Sequence, residues 1–201
     1  MRFERFHPIG FGKFADFEFR LGPGLNVVYG ANEAGKSTLL AFIELMLFGA
    51  KKDGLTRSHY LPAYDAYKPW SGVPYEGRLE LSLDDGRSIE VFRRFERDSE
   101  AVTLHDLNLG KDLTGQFSVD TRGEVLFARE LFGMTRAVFI GTTYIPQMGL
   151  VNGFGDAEEV GSHLVRNLSR SSRDASLSRA QSRLDDALAA IGKTDRGKRS
   201  G

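Results

Sequence analysis

The chain has 201 residues, 41% hydrophobic and 27% charged, so one folded core of ordinary size is expected and a disordered chain is excluded. Lys plus Arg equal Asp plus Glu at 27 each, so the overall charge gives no reason to expect a nucleic-acid or membrane partner. The chain has no Cys, which excludes disulfides and thiolate metal sites. It also lacks a signal-peptide pattern and any apolar run of about 18 residues, so we expect a cytoplasmic protein with no membrane partner.

The N-terminal part of the sequence predicts strands, because apolar and polar residues alternate over residues 2–10 and 16–21. The bend at residues 10–12 joins these two strands. The side chains expected to face inward are Phe3, Phe17 and Phe19.

A strand, a loop and a helix are predicted next. Residues 25–29 read Leu-Asn-Val-Val-Tyr and predict a short strand, and apolar residues at helical spacing over 36–48 predict a helix that ends at Gly49. Residues 51–75 contain three Pro and several Tyr, which favours an irregular loop.

The middle of the chain predicts a β-hairpin. Residues 78–83 and 88–95 flank Asp84-Asp85-Gly86-Arg87, an Asp-Gly turn sequence, and a further strand is expected near residues 102–107. Residues 124–132 predict a helix closed by Gly133, and residues 138–145 predict another strand.

The domain organisation follows from these elements. Residues 1–155 are expected to form the main lobe, which includes an antiparallel β subdomain. In residues 156–191, apolar residues seven apart predict a helical root of a coiled coil, and residues 192–201, which lack apolar side chains, predict a flexible end or linker.

The most informative motif is Gly30-Ala31-Asn32-Glu33-Ala34-Gly35-Lys36-Ser37, which matches G-x-x-x-x-G-K-[ST]. Its glycines let backbone N–H groups surround phosphates at a helix N-terminus. Lys36 supplies a charge to the terminal phosphates, Ser37 a ligand for Mg²⁺, and Thr38 a hydroxyl for an α-phosphate oxygen. The motif therefore predicts that residues 1–155 form a nucleotide-binding lobe, with ATP and Mg²⁺ as cofactors.

The groups that complete hydrolysis are harder to find. Residues 79–85 look like the acidic strand of a P-loop enzyme, but a hairpin turn explains Asp84 and Asp85 better. Residues 177–181 are similar to an ABC-type signature peptide, except that Arg179 and Ala180 stand where glycines are required. Another segment must therefore supply these groups, and the chain alone is expected to be inactive.

The phosphate-loop sequence, followed by Phe48-Gly49, resembles the N-terminal head segment of SMC-like coiled-coil ATPases, in particular the bacterial YhaN-like and SbcC-like DNA-repair ATPases. The resemblance implies an α/β fold of the ABC/SMC head type. It implies that Lys13, in the 10–14 bend, reaches the nucleotide. It also implies that Gln147, in a segment similar to a Q-loop, binds the metal and water as a catalytic residue beside Lys36. It further implies that the loop before the hairpin lines the nucleotide pocket, which makes Tyr67, Lys68 and Trp70 candidates for contact with the adenine or ribose.

The resemblance also implies how the chain acts. It would be the N-terminal lobe of an ATPase head that hydrolyses ATP only with a C-terminal lobe. In the parent protein the heads would form a head-to-head homodimer on ATP and act on DNA, with a nuclease subunit as a further partner. Residues 166–201 carry nine Lys or Arg against four Asp, which suits contact with DNA phosphates or a solvated helix face.

Two other functions remain open at this point. A self-contained small kinase or GTPase would use the same loop, although no guanine-reading N-K-x-D segment follows it. A non-enzymatic scaffold that retains nucleotide binding is the other alternative.

Overall fold

The computed structural model describes residues 1–52 and 60–143. In this part of the chain seven strands form one sheet: β1 Arg2–Phe11, β2 Phe14–Ala15, β3 Phe19–Arg20, β4 Glu76–Ser82, β5 Ser88–Arg94, β6 Ala101–Asp106 and β7 Lys111–Asp112. Four α-helices accompany it: α1 Lys36–Phe48, α2 Pro62–Ala66, α3 Phe127–Phe132 and α4 Arg136–Thr142. The strand order is β2-β1-β4-β5-β6-β7, with β3 paired to the other end of β1, and every pairing is antiparallel.

The predicted hairpin is confirmed. Strands β4 and β5 pair from Glu76 with Arg94 to Ser82 with Ser88. The turn between them closes with a 2.8 Å hydrogen bond from the Leu83 N–H to the Arg87 carbonyl, and Gly86 has φ +87°. Since glycine adopts a positive φ at little cost, the Asp-Gly sequence set this turn.

The first strand is confirmed, but the inward-facing set was only partly right. Phe3 and Phe19 are partly buried against the core, whereas Phe17 is 39% exposed and stacks on Phe14, with ring centroids 4.8 Å apart. The alternation fails there because β2 ends at Ala15 and Asp16 has φ +49°, which interrupts the regular strand conformation.

Helix α1 packs on the inner face of the sheet. Six of its 13 residues are buried, and at the crossing point a Cβ on Gly77 of β4 would collide with the Phe42 ring. Glycine therefore allows the helix to approach the strand closely. The buried core around this contact includes Phe6, Phe11, Phe42, Leu45, Met46, Leu79, Leu81, Val91, Leu104 and Phe127.

The predicted strand at residues 25–29 is wrong for this structure. None of these residues pairs with a strand among the described residues, and the exposed fractions of Leu25, Val27 and Tyr29 are 93%, 80% and 95%. A strand exists only as part of a hydrogen-bonded ladder, and the described sheet does not extend to this segment.

The loop predicted over residues 51–75 contains more order than expected. It includes the short helix α2, which begins with Pro62, a residue favoured in a first helical turn, and an isolated bridge between Lys51 and Tyr60. Residues 53–59 lie outside the described residues.

The elements near the end of the described chain differ from prediction. The helix expected over 124–132 begins only at Phe127, but it does end at Gly133, which has φ +66°. Residues 138–142 of the strand expected over 138–145 belong instead to helix α4, because the Thr135 hydroxyl caps a helical turn by accepting from the Val138 N–H at 3.3 Å. Residues 144 and 145 lie outside the described residues.

The predictions for Gln147, residues 156–191 and residues 192–201 lie outside the described residues. In the described part of the chain, no helix has the length and apolar character needed to cross a membrane.

Candidate phosphate-binding site

The phosphate-loop sequence leads directly into α1. Glu33 has φ +64° and Gly35 has φ +108°, and Gly35 is the residue before the helix, with no side chain capping the first turn. The first N–H groups of a helix have no partner within it, so this terminus suits an anionic ligand.

A glycine is required at position 35 for a second reason. A Cβ on Gly35 would lie 2.6 Å from a ring atom of Phe14. Phe14 belongs to β2, so the loop is packed directly against the bend that follows β1. Any larger residue at this position would push the loop away from that bend.

Two lysines of the predicted site have their side chains at the loop. Lys36 Nζ donates to the Gly30 carbonyl at 2.7 Å and to the Ala31 carbonyl at 2.8 Å, and Lys13 Nζ donates to the Glu33 carbonyl. Both cations therefore lie beside the loop backbone, where a bound phosphate would meet them.

A cavity of about 350 Å³ lies at this loop. It brings together most of the predicted site residues, and its lining consists of Lys13, Asn32, Glu33, Gly35, Lys36, Ser37, Thr38 and Trp70. Ala34 and Lys68 are exposed but do not line it, and Tyr67 packs on Phe11, with ring centroids 5.5 Å apart. Gln147, the remaining predicted ligand, lies outside the described residues.

The carboxylates that superficially resembled an acidic metal site are used elsewhere. Glu80 is on the outer face of β4, where it pairs with Arg5 and raises the pKa of that guanidinium. A hydrogen bond from Arg87 lowers the pKa of the Asp85 carboxyl in the hairpin turn. Asp84 pairs with the N-terminal amine. The hairpin interpretation of this segment is therefore confirmed.

Sequence reasoning missed a buried charged cluster at the other end of α1. Arg93 lies on the inner face of β5, 4% exposed, where it pairs with Glu124 at 2.6 Å and donates to the Met46 carbonyl at 3.1 Å. Arg136 of α4 donates to the carbonyl of Gly49, just after the helix. The one hint in the sequence was an Arg at an inward-facing position of a strand. The arrangement gives hydrogen-bond donors to carbonyl groups at the helix C-terminus that have no partner within the helix.

The loop, the helix that follows it and the sheet beneath define a P-loop nucleotide-binding domain. Comparison with known families agrees: the model of the AAA domain family matches residues 7–189, and the chain belongs to this family. Domains of this family generally bind ATP and Mg²⁺ and act as ATPases.

A curated relative is also similar. The "Uncharacterized protein YhaN" of Bacillus subtilis (strain 168) is 39% identical over 95 residues, a match that covers 46% of this chain and 9% of that protein. The chain thus corresponds to a small part of the relative's length.

Proposed function

We propose that this chain is the ATP-binding N-terminal lobe of an SMC-like, ABC-type ATPase head. The observation that carries the proposal is the position of Lys36, Ser37 and Thr38 in one cavity at the uncapped start of α1. Lys36 would contact the terminal phosphates, Ser37 would bind Mg²⁺ and Thr38 an α-phosphate oxygen. Lys13 and the exposed loop residues 32–34 would surround the same phosphates, and Lys68 and Trp70 would contact the nucleoside.

The proposal includes a second lobe from elsewhere in the parent protein. Four of the five residues in the segment 25–29 are apolar, and their exposed fractions run from 42% to 95%, as expected of a parallel strand whose neighbours come from another lobe. A C-terminal lobe that adds strands and a helical layer would cover it and bring the acidic group needed for hydrolysis. Gln147, in the segment after α4, would complete the metal shell.

The finer role that we propose is a conformational change on DNA, in double-strand break repair or chromosome maintenance. It rests on the motif resemblance and on the basic composition of residues 166–201. The intact, cytoplasmic parent would form a head-to-head dimer on ATP through a coiled-coil root and would act with a nuclease subunit. We expect Arg173, Arg179 and Arg183 changed together to Glu to weaken salt-dependent duplex binding by that dimer without altering its ATP affinity. Equal DNA affinity across a salt series would place the DNA surface elsewhere.

The phosphate site is tested by Lys36→Ala. The change removes a cation that faces two phosphates, so MgATP affinity should fall at least about tenfold in calorimetric titration of the chain. Lys111→Ala, on the exposed strand β7, is the matched control and should leave the affinity unchanged. The same dissociation constant for Lys36→Ala and the parent chain would refute the phosphate-binding role.

A further inference from the structure

Gly12 connects the turn that carries Trp70 to the bend after β1. Its N–H donates to the Tyr67 carbonyl at 2.7 Å, and its own carbonyl accepts from the Trp70 N–H at 3.1 Å. These two hydrogen bonds fasten both ends of the 67–70 turn to one buried residue. The position of Trp70 therefore depends on the backbone of Gly12.

Gly12 also touches the phosphate-binding element. It has φ +55°, and a Cβ there would lie 2.9 Å from the Thr38 methyl group and 3.5 Å from the Tyr67 ring. Thr38 is in the first turn of α1, two residues after Lys36. Gly12 thus occupies the narrow space between the phosphate helix and the turn that bears Trp70, where only a residue without a side chain fits.

Trp70 itself is available to a ligand. This residue is 77% exposed, and it lines the same cavity as Lys36 and Ser37. An aromatic face held beside a phosphate site can stack on a nucleobase, and such stacking tolerates different bases because every base has a π-face.

We infer that Gly12 is a positioning residue for the nucleoside: it sets the distance between the Trp70 ring and the phosphate loop, so that the site prefers nucleoside triphosphates to bare polyphosphate. The inference rests on the proposed function, since it takes Lys36 as the phosphate contact. Stacking on Trp70, positioned by Gly12, accounts for the part of the affinity that depends on the base. Lys36 accounts for the part that depends on the phosphates.

The test compares Mg-ATP with Mg-tripolyphosphate, which has the phosphates and no base. Gly12→Ala should weaken ATP binding about tenfold and leave tripolyphosphate binding within about twofold. The new Cβ meets Thr38 of the core-packed helix α1, so the backbone at position 12 moves away from the helix and takes with it the 67–70 turn that is hydrogen-bonded to it. Trp70→Ala should give the same pattern, and Gly12→Ala should cause no further loss in the Trp70→Ala background. The only Trp of the chain also reports directly, since ATP, but not tripolyphosphate, should quench its fluorescence.

Gly110→Ala is the matched control, because Gly110 has φ +64° and a Cβ there would meet nothing within 4 Å. It imposes a similar backbone strain and should leave the affinity for both ligands unchanged. If Gly12→Ala does not fold, Gly12→Ala combined with Thr38→Ser, which relieves the collision but keeps an alanine at φ +55°, is measured against Thr38→Ser alone. A loss of ATP affinity without a loss of tripolyphosphate affinity is again expected, and an equal loss of both would overturn the inference.

The outcomes separate the two proposals. An equal loss of ATP and tripolyphosphate affinity in Gly12→Ala would mean that the change distorts the phosphate loop, and the inference would be wrong while the phosphate site stands. Lys36-dependent ATP binding with no change in Trp70 fluorescence would also overturn it. If neither ligand binds the parent chain, the proposed function fails and the inference fails with it.

Discussion

Asp120 organises the turn that presents Glu124 to the buried charged cluster. Its carboxylate accepts from the Arg122 N–H at 2.8 Å, from the Arg122 guanidinium at 2.6 Å and from the Glu124 N–H at 3.0 Å. Burial by itself would raise the pKa of Asp120, but these hydrogen bonds together lower the pKa below its usual range.

This shift predicts how Asp120 contributes to stability as pH changes. Because its folded-state pKa is depressed, its contribution is present above the unfolded-state pKa, near 3.8, and is lost as pH falls through the folded-state pKa. Asp120→Asn should therefore lower the free energy of unfolding at pH 7 by about 1 kcal/mol, with a smaller difference near pH 3. Denaturant titrations at the two pH values check this, and an equal loss at both would contradict it.

The contacts of the Glu124 side chain show why this residue is not in a helix. The sequence placed it at the start of a helix, but its side chain lies against Gly49, pairs with Arg93 and is 8% exposed. Its neighbour Val125 forms an isolated bridge with Val119. A buried ion pair formed across the fold thus outweighed local helix propensity.

Helix α1 is held at both ends by different chemistry. Its N-terminus follows the phosphate loop. At its C-terminal end Arg93 donates to the Met46 carbonyl, and Arg136 donates to the carbonyl of Gly49, the residue after the helix. These cations belong to β5 and α4, so the end of the phosphate helix is fastened to two other elements. Positive charge near a helix C-terminus is favourable because it opposes the partial negative charge there.

Two adjacent arginines of β5 allow this arrangement to be tested. Arg93 is buried and paired with Glu124, whereas the side chain of Arg94 is 45% exposed and pairs with Glu76 at 3.2 Å on the outer face. Arg93→Gln should lower the free energy of unfolding by about 3 kcal/mol or more, because it leaves the Glu124 charge buried without its partner. Arg94→Gln should cost less than about 1 kcal/mol.

Chemical denaturation of Arg93→Gln and Arg94→Gln measures how much each change lowers the free energy of unfolding. Replacing the pair together, as Arg93→Met with Glu124→Leu, should recover most of the loss, since no buried charge then lacks its partner. Equal costs for Arg93→Gln and Arg94→Gln would show that the buried pair does not secure the helix end.

At the scale of the whole molecule, a well-packed sheet contrasts with an exposed, largely apolar segment. The core on the inner face of β4 and β5 is fully buried, while in the described part of the chain the apolar residues of the segment 25–29 are 42% to 95% exposed. Soluble proteins seldom expose such contiguous apolar surface without a partner for it. The pattern supports the proposal of a second lobe in the parent protein.

That proposal predicts the behaviour of Val27→Asp. Because Val27 is 80% exposed, the change should leave the free energy of unfolding of the chain itself within about 0.5 kcal/mol. It should nevertheless abolish association with the C-terminal segment of the parent protein, since a charge would enter the shared core. Val119→Asp, at a position that is 60% exposed, is the control and should associate normally.

A mixture of this chain with the C-terminal segment of the parent protein also tests catalysis. The chain alone should turn over ATP negligibly, and addition of the C-terminal segment should produce an ATPase that Lys36→Ala abolishes. Robust turnover by the verified monomer would show that an acidic group within this chain completes the site. Normal association of Val27→Asp would show that the segment 25–29 is not the contact between lobes.

The sequence by itself determined the features that depend on neighbours along the chain. The phosphate loop, helix α1 and the hairpin at 84–87 follow from local rules: glycines where φ is positive, apolar residues at a fixed period, and turn residues between two alternating runs. The first strand and the end of helix α3 at Gly133 were also predicted from local patterns.

Only the tertiary structure decided the features that depend on distant partners. Residues 25–29 have a strand sequence but no ladder, and residues 138–142 have an apolar run that suits either a strand or a helix until the Thr135 cap and burial select the helix. The pairing of Arg93 with Glu124 and the contact of Gly12 with the Trp70 turn join residues 31 and 58 positions apart. Such contacts form because the fold brings these groups together, and no local pattern encodes that proximity.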